Sequence, residues 1–328
     1  MIIIVSIKKK RIGTITTEAP RLDTAILWLL CFFLLGYFLR SPTLAAASVK
    51  SALGICASSL IPSLFPFIVL VGIMNGSGLS ATVARLIGRP IGKLFGIREE
   101  AVYALLLGCV GGFPIGALCV RELYDSGTLE KCEAERLLGY VNNASPAFCI
   151  GTLGMSLFGS TAFGIRLFLC QLVAAFAVGL TQRRRISLPS HASFKPPALS
   201  TSDTITNAVA TGGLTMLKIC SFAIFFAVLG DAACLVADRF LGGFAAALCA
   251  SICELTLAGR RLAALSGIIP ELLCAFAVGW SGISVHMQTA SVLSGSGIGM
   301  KRYYISKLAQ GILSTAFLFL SYLFCGGL

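Results

Sequence analysis

Four short segments carry the residue types that could do chemistry in this chain. Gly111–Gly116 reads GGFPIG. Here Pro114 interrupts a helix, and the glycines let backbone come close to a neighbour or a ligand. Gly108, Gly112 and Gly116 stand four apart, so the same stretch also reads as a small-residue packing seam. Asn142, Asn143, Ser145 and Pro146 form a polar break ahead of an apolar run; Ser or Asn before proline marks a helix start. Such a start exposes unpaired N–H groups and the positive end of the helix dipole, which suits a carboxylate. Gly279–Ser291 reads GWSGISVHMQTAS and places Ser281, Ser284, His286 and Gln288 in an otherwise apolar stretch. An ionisable group such as His286 at membrane depth is a functional candidate, or a neutral histidine bonded across helices. Glu254 and Thr256 in CELTLAG offer oxygens for a coupling ion, or an interfacial cap. Pro66 adds a further helix interruption.

No enzyme signature accompanies these segments. HExxH, GxSxG and the phosphate-binding P-loop are absent, and GSGLSA at Gly76 lacks the strand and the later acid of a dinucleotide fingerprint. The 13 cysteines are scattered through apolar stretches without a CxxC pair. They predict neither a disulfide framework nor structural zinc. The chain is therefore expected to be no enzyme and to carry no cofactor and no metal.

The elements that must hold these residues are set by composition. Of 328 residues, 56% are apolar and only 12% charged, and the mean hydropathy is +0.89. A soluble chain carries about 25% charged residues, so too little polar surface exists here to cover a soluble fold. The expected class is an all-α polytopic membrane protein. The net charge of +12 comes from separated clusters, as at cytoplasmic membrane boundaries, and does not indicate nucleic acid.

Residues 1–21 read as a cytoplasmic N-terminal tail, 22–40 as a first transmembrane helix, 41–180 as repeat one, 181–204 as a basic cytoplasmic loop and 205–328 as repeat two. Lys8, Lys9, Lys10, Arg11 and Arg21 before the first helix put the N-terminus inside. Residues 86–111 and 257–282 share ten identities in 26 positions at an offset of 171, Arg89/Arg260 among them. With both the tail and the central loop inside, the two halves must cross in opposite senses. The expectation is an inverted repeat with broken or re-entrant helices, a transporter-like plan with its site at mid-membrane.

SLIPSLFPFIVL, LGCVGGFPIGA, EAERLLGYVNNASPAF, ICELTLAG and GWSGISVHMQ, in this order over roughly residues 41–325, resemble the YlbJ-type (SpoVV) sporulation integral membrane proteins. These contain the nucleoside-recognition, or Gate, domain and are related in architecture to concentrative nucleoside transporters. The resemblance implies transport of dipicolinate, a small dianion, across the outer forespore membrane during sporulation. A nucleoside-type transporter or a non-transporting scaffold of the spore envelope are the alternatives. Expected partners are the lipid bilayer and a small anionic substrate, with no nucleic acid and a homo-oligomer allowed. The candidate substrate residues are Pro66, Gly112, Pro114, Asn142, Asn143, Ser145, Ser281, Ser284, His286 and Gln288, with Glu254 and Thr256 as coupling-ion candidates.

Overall fold

The computed structural model describes residues 22–183 and 200–325. The N-terminal tail, Arg184, Arg185, His191 and Lys195 of the basic loop, and residues 326–328 lie outside the described residues. So do the expectations about which side of the membrane they occupy. Among the described residues every regular element is helical, as the composition requires: only helices or closed barrels satisfy their own backbone in lipid.

The first helix, α1 (Leu22–Arg40), forms a unit of its own. Leu29, Phe32 and Leu39 project apolar surface outward, as a lipid-facing helix would.

In the second unit, α2 (Pro42–Ile55) runs through a wide π-helical turn at Cys56–Leu60 into α3 (Ile61–Gly76). The amphipathic α4 (Leu79–Phe95) ends where Gly96 adopts φ +61° and its N–H bonds back to the Gly92 carbonyl. Arg136 Nη2 ties the Gly96 carbonyl to a later helix at 2.9 Å.

A hairpin follows, α5 (Val102–Gly111) and α6 (Ile115–Asp125). Then comes a helix in two pieces, α7 (Lys131–Val141) and a π-helix at Ala147–Leu157, and next the continuous α8 (Thr161–Thr181). Glu130 and Glu133 start α7 with a reciprocal capping box, and Ser160 Oγ caps α8 by accepting from Phe163 N at 3.1 Å.

Beyond the basic loop the plan repeats. The 41-residue α9 (Thr201–Leu241) leads into a second hairpin, α10 (Gly243–Cys253) and α11 (Leu255–Ala263). A second broken helix, α12 (Ile268–Trp280) and α13 (Gly282–Leu293), is followed by the continuous α14 (Lys301–Cys325). Among the described residues five helical runs are long and apolar enough to cross a membrane: 42–76, 161–181, 201–241, 268–293 and 301–324.

Arm length explains why the hairpins are re-entrant. Ten residues of helix rise about 15 Å, half of a hydrocarbon core about 30 Å thick. Each hairpin can enter to mid-depth and must return. The two pieces of each broken helix together are long enough to cross.

The repeated order is thus hairpin, broken helix, continuous helix. Its register differs from the one that sequence identity suggests. The 171-residue offset sets α4 and α5 against α11 and α12, a hairpin arm against half of a broken helix. The folded units instead match hairpin with hairpin, and α14 begins 140 residues after α8. GGFPIG therefore corresponds to the turn around Glu254, and the Asn142–Ser145 break to Ser281. Arg89 and Arg260 are not equivalents.

Candidate substrate site

Each hairpin tip is packed onto the break of the broken helix that follows it. At the first tip, Gly112 has φ +78° and Pro114 opens α6. A Cβ on Gly112 would lie 2.7 Å from Ser145 Cβ, and one on Gly108 or Gly116 would strike the Val141 carbonyl. The three glycines are thus a packing seam, and what they pack against is the break itself. At the second tip, Glu254 is extended and caps α11, its Oε2 accepting from Leu257 N at 2.7 Å and Thr256 Oγ1 at 2.5 Å. Gly282 of the second break meets Cys253 and Glu254 backbone.

The breaks free peptide groups that must find partners inside protein. At the first break, Gln171 of α8 holds the Ala144 peptide from both ends: its Nε2 donates to the Ala144 carbonyl at 2.7 Å and its Oε1 accepts from Ala144 N at 3.3 Å. Ser145 Oγ accepts from Phe148 N at 3.2 Å and so starts the π-helix. Asn142 Nδ2 donates to Thr289 Oγ1 at 2.9 Å, linking the two broken helices. Asn143 Nδ2 donates to the Tyr140 carbonyl at 2.8 Å. At the second break Ser281 holds φ +79°, the one positive φ outside glycine among the described residues.

Behind the first break stand Lys307 and Gln310 of α14, both fully buried. Lys307 Nζ donates to the Asn142 carbonyl, to Asn143 Oδ1 at 3.3 Å and to Gln310 Oε1 at 2.8 Å. The ammonium also stands 5.8 Å from the centre of the Phe113 ring.

Phe113 also lines a small cavity of about 40 Å³, room for a few water molecules. Its polar lining is Ser145, Glu254, Thr256 and Gln288; Phe113, Phe148 and Leu64 supply apolar wall. It receives one residue or more from both hairpin tips and from both broken helices.

The residues singled out in the sequence divide. Ser145, Gln288, Glu254 and Thr256 face the cavity, and Gly112 and Pro114 flank the Phe113 that lines it. Asn142 and Asn143 lie one layer deeper, bonded to Lys307. Ser284 accepts from Gln288 Nε2 at 3.4 Å. His286 is boxed by the rings of Trp280, Tyr303 and Tyr304, with centroids 4.3, 5.2 and 5.3 Å away, and neither ring nitrogen has a hydrogen-bond partner. Pro66 is exposed on α3, while Leu60 and Leu64 of the same segment line the cavity. Sequence reasoning missed Lys307, Gln310, Gln171 and Phe113. The available signal was Tyr303, Lys307 and Gln310 at i, i+4 and i+7, one helix face.

No protein-family model matches the chain. It is 24% identical over 338 residues to the sporulation integral membrane protein YlbJ of Bacillus subtilis (strain 168), across 92% of this chain and 83% of that protein. The chain is similar to a sporulation membrane protein. The resemblance read from its five motifs is borne out. Among solved structures it is similar to CNTnw variants in two states. One is the intermediate 3 state, with TM-score 0.49 and 13% identity over 93% of this chain and 86% of that one. The other is an outward-facing state, with TM-score 0.47 and 13% identity over 91% and 85%. The chain is an integral membrane protein with several apolar helices long enough to cross a bilayer.

Proposed function

We propose that the chain is a permease that moves a small anionic metabolite through the cavity between the two hairpin tips, and that the substrate is dipicolinate crossing the outer forespore membrane. The observation that carries this reading is the placing of Lys307. A cation at membrane depth is costly and is kept where it acts. Among the described residues no carboxylate stands within 4.0 Å of its ammonium, so its field reaches past Phe113 into the cavity uncancelled by an ion pair. A dianion in the cavity gains from that field, and from the helix starts at Ser145 and Glu254. The Gln288 amide supplies a donor. The relative is a sporulation protein by name, and dipicolinate is the substrate that the resemblance of the five motifs implies.

A nucleoside-type substrate is the second reading, favoured by one residue. The Glu254 carboxylate lines the cavity and is an acceptor suited to hydroxyls, where an anion would be repelled. Glu254 already accepts from Leu257 N and Thr256 Oγ1, which draws its charge toward the start of α11 and lessens that repulsion.

Uptake of labelled dipicolinate and of uridine into proteoliposomes separates the readings. The proposal expects saturable dipicolinate uptake, at least tenfold reduced in Lys307→Met at matched protein. Uptake of uridine alone would establish the second reading. Uptake of neither would leave a scaffold for envelope assembly.

A further inference from the structure

Lys307 is held in an unusual way for a buried lysine. Its three N–H bonds end on three neutral oxygens: the Asn142 carbonyl, Asn143 Oδ1 and Gln310 Oε1. A lysine ammonium has three donors and no acceptor, so the set is complete. Both amides are fixed in this sense by backbone at their other ends. Asn143 Nδ2 donates to the Tyr140 carbonyl at 2.8 Å and Gln310 Nε2 to the Gln171 carbonyl at 3.2 Å. Turning the Asn143 amide would leave the Tyr140 carbonyl, at the end of α7, without its partner, and turning Gln310 would break its bond to the Gln171 carbonyl. A second bond, Gln310 Nε2 to Asn143 Oδ1 at 2.9 Å, locks the pair.

One peptide carbonyl and two amide oxygens therefore converge on a single positive charge, at a helix break inside the protein. Neutral oxygens in a fixed ring are what replaces the water of an alkali-metal ion in a dry site. Hard monovalent ions and an ammonium group want the same donors. They differ in that the ammonium arrives on its own stem, with a high effective concentration and no separate binding step.

We infer that the first helix break contains a monovalent-cation cage, and that this chain fills the cage permanently with the ammonium of Lys307 in place of a free alkali-metal ion. No Na⁺ or K⁺ gradient then acts through this break, because the position it would load is covalently occupied. The cage follows from its oxygen geometry and does not require the permease reading to hold.

Binding, not flux, is accordingly the readout. The full chain is purified in detergent and its Tm is measured in choline, Na⁺, K⁺ and methylammonium chlorides at equal ionic strength. The wild type is expected to give one Tm in all four. Lys307→Ala empties the cage; its Tm is expected to be lower in choline and to rise with the logarithm of concentration for at least one small cation, as a bound ligand requires. Lys307→Met loses the charge but keeps a stem in the cage, so a low Tm without cation dependence is expected. The inference is overturned by a Lys307→Ala protein whose Tm ignores all three small cations. It is equally overturned if that variant can be recovered in none of them, if Lys307→Met responds as Lys307→Ala does, or if the wild type itself shifts with Na⁺ or K⁺. None of these results depends on which substrate the cavity takes.

Discussion

A side chain at Gly112 has no space to enter: its Cβ would stand 2.7 Å from Ser145 Cβ and 2.9 Å from Ser145 N, on a backbone with φ +78°. Gly112→Leu must push the first hairpin off the first break, at a cost of about 1–3 kcal/mol for overpacking and more for the conformation. Transport at matched membrane level should fall below detection, with a lowered Tm. Ser281 is the opposite case. It pays about 1–2 kcal/mol for a left-handed conformation that glycine adopts freely. Ser281→Gly should raise Tm by a few degrees, and Ser281→Val should lower it. His286 was an attractive residue in the sequence because it is ionisable and surrounded by apolar residues. The structure gives it three aromatic neighbours and no polar partner, and sets it away from the cavity lining. His286→Phe should therefore transport as the wild type does, while Gln288→Leu, at the cavity wall, should lose at least tenfold. Equal losses in both would return His286 to the site.

The elements that shape the site are the two breaks, and each must be paired from outside its own helix. Gln171 performs this for Ala144 with a single amide. Gln171→Leu would leave two buried peptide groups unpaired, at about 1–3 kcal/mol each. The expected result in detergent is a Tm lower by several degrees, where an exposed substitution such as Leu169→Gln leaves it almost unchanged. The breaks themselves were legible in the sequence, because Pro, Gly and Asn interrupt apolar runs for reasons that do not depend on context. The partners were not. Gln171 lies in an apolar helix whose buried face gives no local sign of what it meets, and Lys307 sits in KRYYISKLAQG, which looks like charge at a membrane boundary. The repeat was legible but its register was not. Leu, Ala and Gly recur in nearly every helix of this chain, so identities accumulate between helices that differ in shape. Hairpin and broken helix are told apart by where the chain turns back, a tertiary fact.

At the scale of the whole molecule, both hairpin tips line one cavity, and an inverted arrangement of the two halves would bring them together at mid-depth. It predicts that the loop closing the first hairpin and the loop closing the second face opposite sides of the membrane. Ser126 and Ser266 are exposed in those loops. In a background lacking the exposed Cys31 and Cys132, Ser126→Cys and Ser266→Cys should react with an impermeant maleimide from opposite faces. Reaction from one face would contradict the inverted arrangement. The central claim is that the cavity between the two hairpin tips holds the anionic substrate, and Ser145→Cys tests it most directly. The substitution is nearly isosteric and its sulfur would line the cavity wall. The rate of alkylation at that position is measured against the parent protein with and without dipicolinate. Dipicolinate should slow the reaction in a saturable way, with uridine at equal concentration having no effect. An alkylation rate indifferent to dipicolinate, in protein that still transports it, would place the substrate elsewhere.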